Sequence, residues 1–178
     1  KTQPEKPRWS LLRERFVIRC EAGKLEFDLG AIGKGFALDR MAETCREWEC
    51  PAFLLVAGGS SILAGEAPAG TSGWSCGLGD DHSPERYSLQ NISLSGSGLA
   101  VKGAHILDPR SGAPAALRSR VWALANSAAE SDALSTACMI LPETAIREVV
   151  YRNGTWLAFL SEGEHWRAIG ARALPPAA

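Results

Sequence analysis

A carboxylate and two hydroxyls lie close together in the segment SAAESDALSTACMILP, residues 127–142. Asp132 and Thr136 are four residues apart and Ser135 is three residues from Asp132, so a helix would place them on one side. Oxygen ligands of these types suit a hard cation such as Mg²⁺. From this segment alone a structural role is the simpler explanation, because Asp132 would complement the helix dipole and Thr136 would hydrogen-bond back to the backbone.

Two glycine-rich turns follow predicted strands. In DLGAIGKG, residues 28–35, an acid precedes a turn into a helix, whose first amides would favour a phosphate, and Lys34 adds a positive charge. In VAGGSS, residues 56–61, Gly58 and Gly59 would let the backbone approach a ligand closely. The first segment is neither a P-loop nor a dinucleotide-binding fingerprint, and ordinary tight turns would explain both segments.

A histidine opens the segment HILDPRSG, residues 105–112. His105 is one of only three histidines in the chain. Held on a rigid turn, it would be suited to act as a general base. The alternative is a surface or capping histidine in a β-turn, and the segment alone favours this structural role.

The elements that must hold these segments are predicted from hydrophobic periodicity. Ser127 and Glu130 form a capping box, and an apolar stripe follows it. Further helices are predicted at 36–48 and 142–151. Strands are predicted at 52–59, 74–78, 86–94, 99–102 and 120–125, as a pair within 14–29 that turns at Ala22-Gly23, and as a final hairpin turning at 162–164. Residues 64–73 and 105–114 are predicted loops. Helices mixed with antiparallel hairpins indicate the α+β class.

Length and composition favour one globular domain. The chain has 178 residues, 46% of them hydrophobic and 22% charged, which is enough to bury a core. The formal net charge is -1, so nucleic-acid binding lacks electrostatic support, and no apolar run reaches the length of a membrane span. We expect residues 1–12 to form a flexible arm, 13–173 a single domain and 174–178 a loose tail.

The cysteines and the first residues bear on the compartment. The five cysteines are an odd number without C-x-x-C spacing, which leans towards a reducing, cytoplasmic environment. The chain begins with Lys1, and no charged segment followed by an apolar one indicates a signal peptide.

Taken in order, DLGAIGKGFALDRMAE, VAGGSS, HILDPRSGAPA and AAESDALSTACMILP closely resemble the motifs of the ApbE family. These proteins are FAD-dependent protein flavin transferases, once described as thiamine-biosynthesis lipoproteins and often periplasmic. The resemblance implies an antiparallel-sheet-rich, T-fold-like domain with packed helices. It also implies an enzyme that passes FMN from a Mg²⁺–FAD complex to a serine or threonine hydroxyl of an acceptor protein, with AMP leaving.

The resemblance also implies roles for single residues. Asp132 and Thr136 fall on metal-ligating positions, and Ser135 falls where many members have a further acid. Ala31 would lend its backbone carbonyl to the metal, and His105 matches the histidine thought to activate the acceptor hydroxyl. The positions that match flavin-nucleotide contacts are Asp28, Lys34, Gly58, Gly59 and Ile106.

Departures from the family pattern leave alternatives open. Family members normally carry an additional N-terminal region that helps hold the adenine end of FAD. The resemblance therefore implies a short or N-terminally truncated, divergent member. Ser60 and Ser135 stand where acids are frequent, and fewer acids should weaken a Mg²⁺ site. A Mg²⁺-dependent FAD pyrophosphatase that yields FMN and AMP, and a non-catalytic flavin-binding domain, are the two alternatives to a transferase.

Overall fold

The computed structural model describes residues 8–78, 85–99, 103, 105–162, 165–171 and 174. Its strands are β1 (Arg8–Leu12), β2 (Val17–Ala22), β3 (Leu54–Ala57), β4 (Ser61–Ala64), β5 (Trp74–Gly77), β6 (Arg86–Leu89), β7 (Ile92–Gly98), β8 (Arg120–Ala125), β9 (Leu157–Glu162) and β10 (His165–Ile169). The α-helices of the described ranges are α1 (Gly33–Glu47), α2 (Ala128–Ile140) and α3 (Glu143–Asn153).

A six-stranded antiparallel sheet organises the fold. Its strand order is β10-β9-β8-β7-β4-β3, while β1-β2 and β5-β6 form separate two-stranded sheets. Antiparallel hairpins and packed helices together confirm the predicted α+β class.

Strand β8 contributes to two different apolar clusters, one on each face of the sheet. Successive residues of β8 point to opposite faces: Val121 and Ala123 pack with α2 and α3 residues, whereas Trp122 and Leu124 pack with residues of β5 and β6. Helix α2 starts where the capping box predicts, since Ser127 Oγ accepts the Glu130 amide at 3.2 Å. The sheet thus anchors α2 on one face and a small hairpin on the other.

Helices α1 and α2 cap each other's first turns with carboxylates. The N-cap of α1, Ile32, offers no side-chain acceptor, and the Asp132 carboxylate of α2 accepts the Gly35 amide at 2.9 Å instead. In return, the Asp39 carboxylate of α1 accepts the amides of Ala128 and Ala129 at 2.7 and 2.9 Å. Each helix therefore neutralises the positive end of the other's dipole.

The structure corrects several predicted elements near the N-terminus. Arg8–Leu12, assigned to a flexible arm, form β1 and pair with β2. The second strand predicted within residues 14–29 is wrong, because 24–29 form no strand and β2 is paired with β1 instead. The first seven residues lie outside the described part of the chain.

Other boundaries differ for local reasons. The strand predicted at 86–94 is broken into β6 and β7 at Asn91, whose positive φ of 50° turns the chain. Strand β4 was not predicted and follows directly on the Gly58-Gly59 turn. Residues 100–102 of the strand predicted at 99–102 lie outside the described ranges, as do 175–178 of the predicted tail, whereas Leu174 packs against the cluster around Trp122.

Thiol reactivity should separate the buried cysteines from the exposed ones. Burial raises the pKa of Cys138 to about 12 and also raises the pKa of Cys76, so neither forms an appreciable thiolate at neutral pH. We expect alkylation of the native protein to modify exposed Cys20 and Cys50 and to reach Cys138 only after denaturation, as peptide mass mapping will show. Rapid labelling of native Cys138 would contradict the packing of α2 on the sheet.

Within the described residues, every helix is too short or too polar to cross a lipid bilayer.

Candidate functional site

A cleft of about 810 Å³ opens at one end of the central sheet. There the β3–β4 turn, the end of β7 and the start of β8 meet the first turn of α1 and one side of α2. The cleft is lined by eight predicted site residues: Asp28, Ala31, Lys34, Gly58, His105, Ile106, Asp132 and Thr136. Gly59 and Ser135 are not among its lining residues. Segments far apart in sequence therefore converge on one cavity.

Asp132 contributes a nearly buried carboxylate to the lining of this cavity. Its side chain is 3% exposed, and its Oδ1 accepts the Ser61 hydroxyl at 2.7 Å while its Oδ2 accepts the Gly35 amide. The ammonium of Lys34 lies 3.4 Å from Oδ1. Two hydrogen bonds and one cation compensate the cost of burying this carboxylate.

Lys34 lies between the carboxylate and the glycine turn. Its side chain is 39% exposed, and its Cδ is 3.7 Å from where a Cβ on Gly58 would stand. Gly58 and Gly59 adopt positive φ angles of 60° and 68°, which glycine accepts at no steric cost. The turn thus needs both glycines for its backbone, while the half-exposed lysine keeps room to move within the cleft.

The two hydroxyls of α2 occupy different places. Thr136 lines the cleft, whereas Ser135 is fully buried behind it and donates to the Asp132 carbonyl at 2.9 Å. Ser97 of β7, which the sequence did not single out, lies within hydrogen-bond distance of both. The sequence feature that could have pointed to Ser97 is the alternation of Ser93, Ser95 and Ser97, because polar residues at every second position are unusual in a largely buried strand.

His105 lines the cleft from the loop that precedes the Asp108–Arg110 ion pair. Its Nδ1 is 2.9 Å from the carbonyl of Gly103, which can only accept, so Nδ1 carries the proton in this contact. In the neutral imidazole, Nε2 is then free to accept a proton. Arg110 pairs with Asp108 and holds the pKa of that carboxyl near 2, chiefly through side-chain hydrogen bonds, so the ion pair stays ionised in ordinary buffers.

Two large side chains of β8 complete the cleft. Arg120 and Trp122 both line it and are paired across the sheet with Gly98 and Gly96. A Cβ on Gly96 would lie 2.9 Å from the Trp122 ring, so the glycine makes room for the indole. The segment RVWALA gave no hint of this role, because it reads as a core strand.

A protein-family model matches the part of the chain that forms the cleft. The family model described as "ApbE family" matches residues 3–160. The chain belongs to the ApbE family. The match covers the segments that supply the cleft, from Asp28 to Thr136.

The chain covers only part of the ApbE relatives with which it was compared. The FAD:protein FMN transferase of Escherichia coli K12 is 25% identical over 158 residues, which cover 80% of this chain and 45% of that protein. The FAD:protein FMN transferase of Treponema pallidum is 28% identical over 146 residues, with 70% and 40% covered. The ApbE protein of Thermotoga maritima superposes with a TM-score of 0.70 at 26% identity, covering 85% of this chain and 53% of that one. This chain therefore spans about half the length of these relatives.

The oxygen donors of this ApbE cleft are sparse. Within the described ranges, nowhere do three or more His, Cys, Asp or Glu side chains gather as a metal-binding group. Asp132 supplies one carboxylate, Thr136 a hydroxyl and Ala31 a backbone carbonyl, and all three residues line the cavity. Such a set fits Mg²⁺, which takes one or two carboxylates and fills the remaining positions with water and substrate phosphates.

Proposed function

We propose that this chain carries a flavin-transferase site that moves FMN from FAD to a serine or threonine hydroxyl of an acceptor protein and releases AMP. The observation that carries this proposal is the convergence of the carboxylate Asp132, the base His105 and the cation Lys34 on one cleft. The names of the relatives, FAD:protein FMN transferase, support it.

In the proposed transfer, one bond to phosphorus forms, one breaks and one proton moves. The acceptor oxygen forms a bond to the phosphorus of the FMN half of FAD, and the bond from that phosphorus to the oxygen leading to AMP breaks. His105 Nε2 takes the hydroxyl proton, and AMP leaves with the bridging oxygen. Lys34, with 39% of its side chain exposed, would turn towards the pyrophosphate and balance its charge.

The remaining predicted residues bind rather than react. Asp132, Thr136 and the Ala31 carbonyl would hold Mg²⁺, which when bound neutralises pyrophosphate charge and favours departure of AMP. Ser135 is less suited to direct ligation than predicted, because it is fully buried behind Thr136. Asp28, Gly58 and Ile106, which line the cleft, would contact the flavin nucleotide. Gly59, which does not line it, would instead shape the turn through its positive φ.

Hydrolysis is the second candidate, since His105 is exposed and water could take the place of the acceptor hydroxyl. The products would then be free FMN and AMP, as in the pyrophosphatase reaction. Rapid AMP release from FAD and Mg²⁺ without any acceptor would favour this reaction over transfer.

Replacing His105 with glutamine is expected to lower FMN transfer by roughly 10²- to 10⁴-fold, the usual contribution of a general base. FAD affinity should change little, because the imidazole would act on the hydroxyl rather than hold the nucleotide. The assay is mass spectrometry of an acceptor protein incubated with the chain, FAD and Mg²⁺, which detects one added FMN group.

His165→Gln is the matched control, because His165 is an exposed histidine on β10. It should transfer FMN at the wild-type rate. Equal activity of the two variants would contradict the role of His105, and a wild-type chain that shows no FAD binding in a thermal-shift titration would contradict the proposed function itself.

A further inference from the structure

The hydroxyls of Ser97 and Thr136, which both line the cleft, are linked to the buried hydroxyl of Ser135. Ser97 Oγ lies 3.0 Å from Thr136 Oγ1 and 2.9 Å from Ser135 Oγ. Ser135 Oγ lies in turn 2.9 Å from the carbonyl oxygen of Asp132. Three side chains on two elements, β7 and α2, are thus connected in series.

The end of this series fixes its direction. The Asp132 carbonyl can only accept, so the Ser135 hydroxyl donates its single proton to that carbonyl. Ser135 must then accept from Ser97, and Ser97, with its proton used, accepts from Thr136. The second acceptor near Thr136, the Asp132 carbonyl, is farther away at 3.3 Å. The Thr136 proton is consequently directed at Ser97, which leaves the lone pairs of the Thr136 hydroxyl for a ligand in the cleft.

We propose that Ser97 and Ser135 are positioning residues that orient the Thr136 hydroxyl as an oxygen donor for a divalent cation in the cleft. This inference rests on the proposed function, which supplies the cation. It assigns Ser135 to the support of a ligand rather than to direct ligation. Partners that orient a metal ligand in this way commonly change metal affinity by about 10- to 100-fold when removed.

A neighbouring set of serines supplies a matched comparison. Ser131 Oγ lies 2.8 Å from Ser95 Oγ and 2.7 Å from Ser93 Oγ. These serines belong to the same strand and helix as Ser97 and Ser135 and precede them in the chain. All three are fully buried and do not line the cleft. Removing the Ser95 hydroxyl also takes a hydrogen bond from the β7–α2 interface, but this bond does not involve Thr136.

The test measures binding of Mn²⁺, a stand-in for Mg²⁺, to the full chain by electron paramagnetic resonance in the absence of flavin. Ser97→Ala is expected to weaken Mn²⁺ binding by about 10-fold or more, and Ser97→Thr, which keeps the hydroxyl, should retain most of the affinity. Ser95→Ala should bind Mn²⁺ like the wild type while showing a similar small loss of thermal stability.

The outcomes separate this inference from the proposed function. Wild-type affinity in Ser97→Ala, or equal weakening in Ser95→Ala, would overturn the positioning role. A wild-type chain that binds no Mn²⁺ would overturn the cation site and the positioning role together. Mn²⁺ binding that depends on Ser97, combined with absent FMN transfer, would leave the inference standing and reject the transferase activity.

Discussion

Replacing Asp132 with alanine should damage both the fold and the chemistry. The substitution leaves the Ser61 hydroxyl and the Gly35 amide without their acceptor inside the protein. Unsatisfied buried donors of this kind cost about 1–3 kcal/mol each, so we expect a loss of roughly 3 kcal/mol in unfolding free energy. For a chain of this length, that corresponds to a fall of roughly 6–12 °C in Tm.

Asp132→Asn should separate the two effects. The amide oxygen can still accept the Gly35 amide, and the amide nitrogen can donate to Ser61, whose hydroxyl rotates to accept. The fold should therefore lose less than about 1.5 kcal/mol, whereas the negative charge that would hold Mg²⁺ and Lys34 is gone. We expect Mg²⁺-dependent FMN transfer to fall at least about 100-fold, in keeping with the loss of a charged metal ligand.

Glu130→Gln is the control for both variants, because Glu130 is an exposed acid on the same helix. It should leave Tm and FMN transfer close to wild type. Chemical denaturation and the mass-spectrometric transfer assay measure the two quantities separately. Full transfer activity in Asp132→Asn would remove Asp132 from the metal site and leave it only the capping role.

A single methyl group at Gly35 is expected to be the most disruptive small substitution. A Cβ on Gly35 would stand 2.0 Å from the carbonyl oxygen and 2.4 Å from the carbonyl carbon of Ala128. Both atoms belong to the backbone of α2, so no side chain can move aside. We expect Gly35→Ala to cost roughly 3 kcal/mol or more, at the upper end of overpacking effects.

Gly33→Ala provides a control from the same turn of α1. A Cβ there meets only Leu29 Cβ at 3.4 Å, and alanine favours the helix by up to about 1 kcal/mol. Urea denaturation should thus show Gly33→Ala equal to or more stable than wild type and Gly35→Ala much weaker. A loss below about 1 kcal/mol in Gly35→Ala would show that the two helices separate easily.

The sequence predicted those elements whose capping and packing residues lie close together along the chain. Ser127 and Glu130 marked the start of α2 because a capping box is contained within four residues. The cap of α1 could not be read in this way, since its acceptor, Asp132, lies 97 residues away. Strand β1 was missed because a hairpin exposed on both sides lacks the buried alternation by which strands are recognised.

The candidate site was predictable as a set of motifs but not as a cavity. The resemblance assigned Asp28, Lys34, His105 and Thr136 to one site, and all four line the same cleft. Arg120 escaped notice because alternation along a strand tells which residues share a face, but not that the cleft opens at that end of the sheet.

The exchanged carboxylate caps have a consequence for the order of folding. During synthesis α1 emerges well before the acid that satisfies its first turn, and α2 in turn uses Asp39, 89 residues back in the chain. Neither helix end is complete until both have docked, so closure of this long loop has to precede the last stabilising contacts. We expect amide hydrogen exchange at Gly35, Ala128 and Ala129 to become fast together, as one cooperative unit.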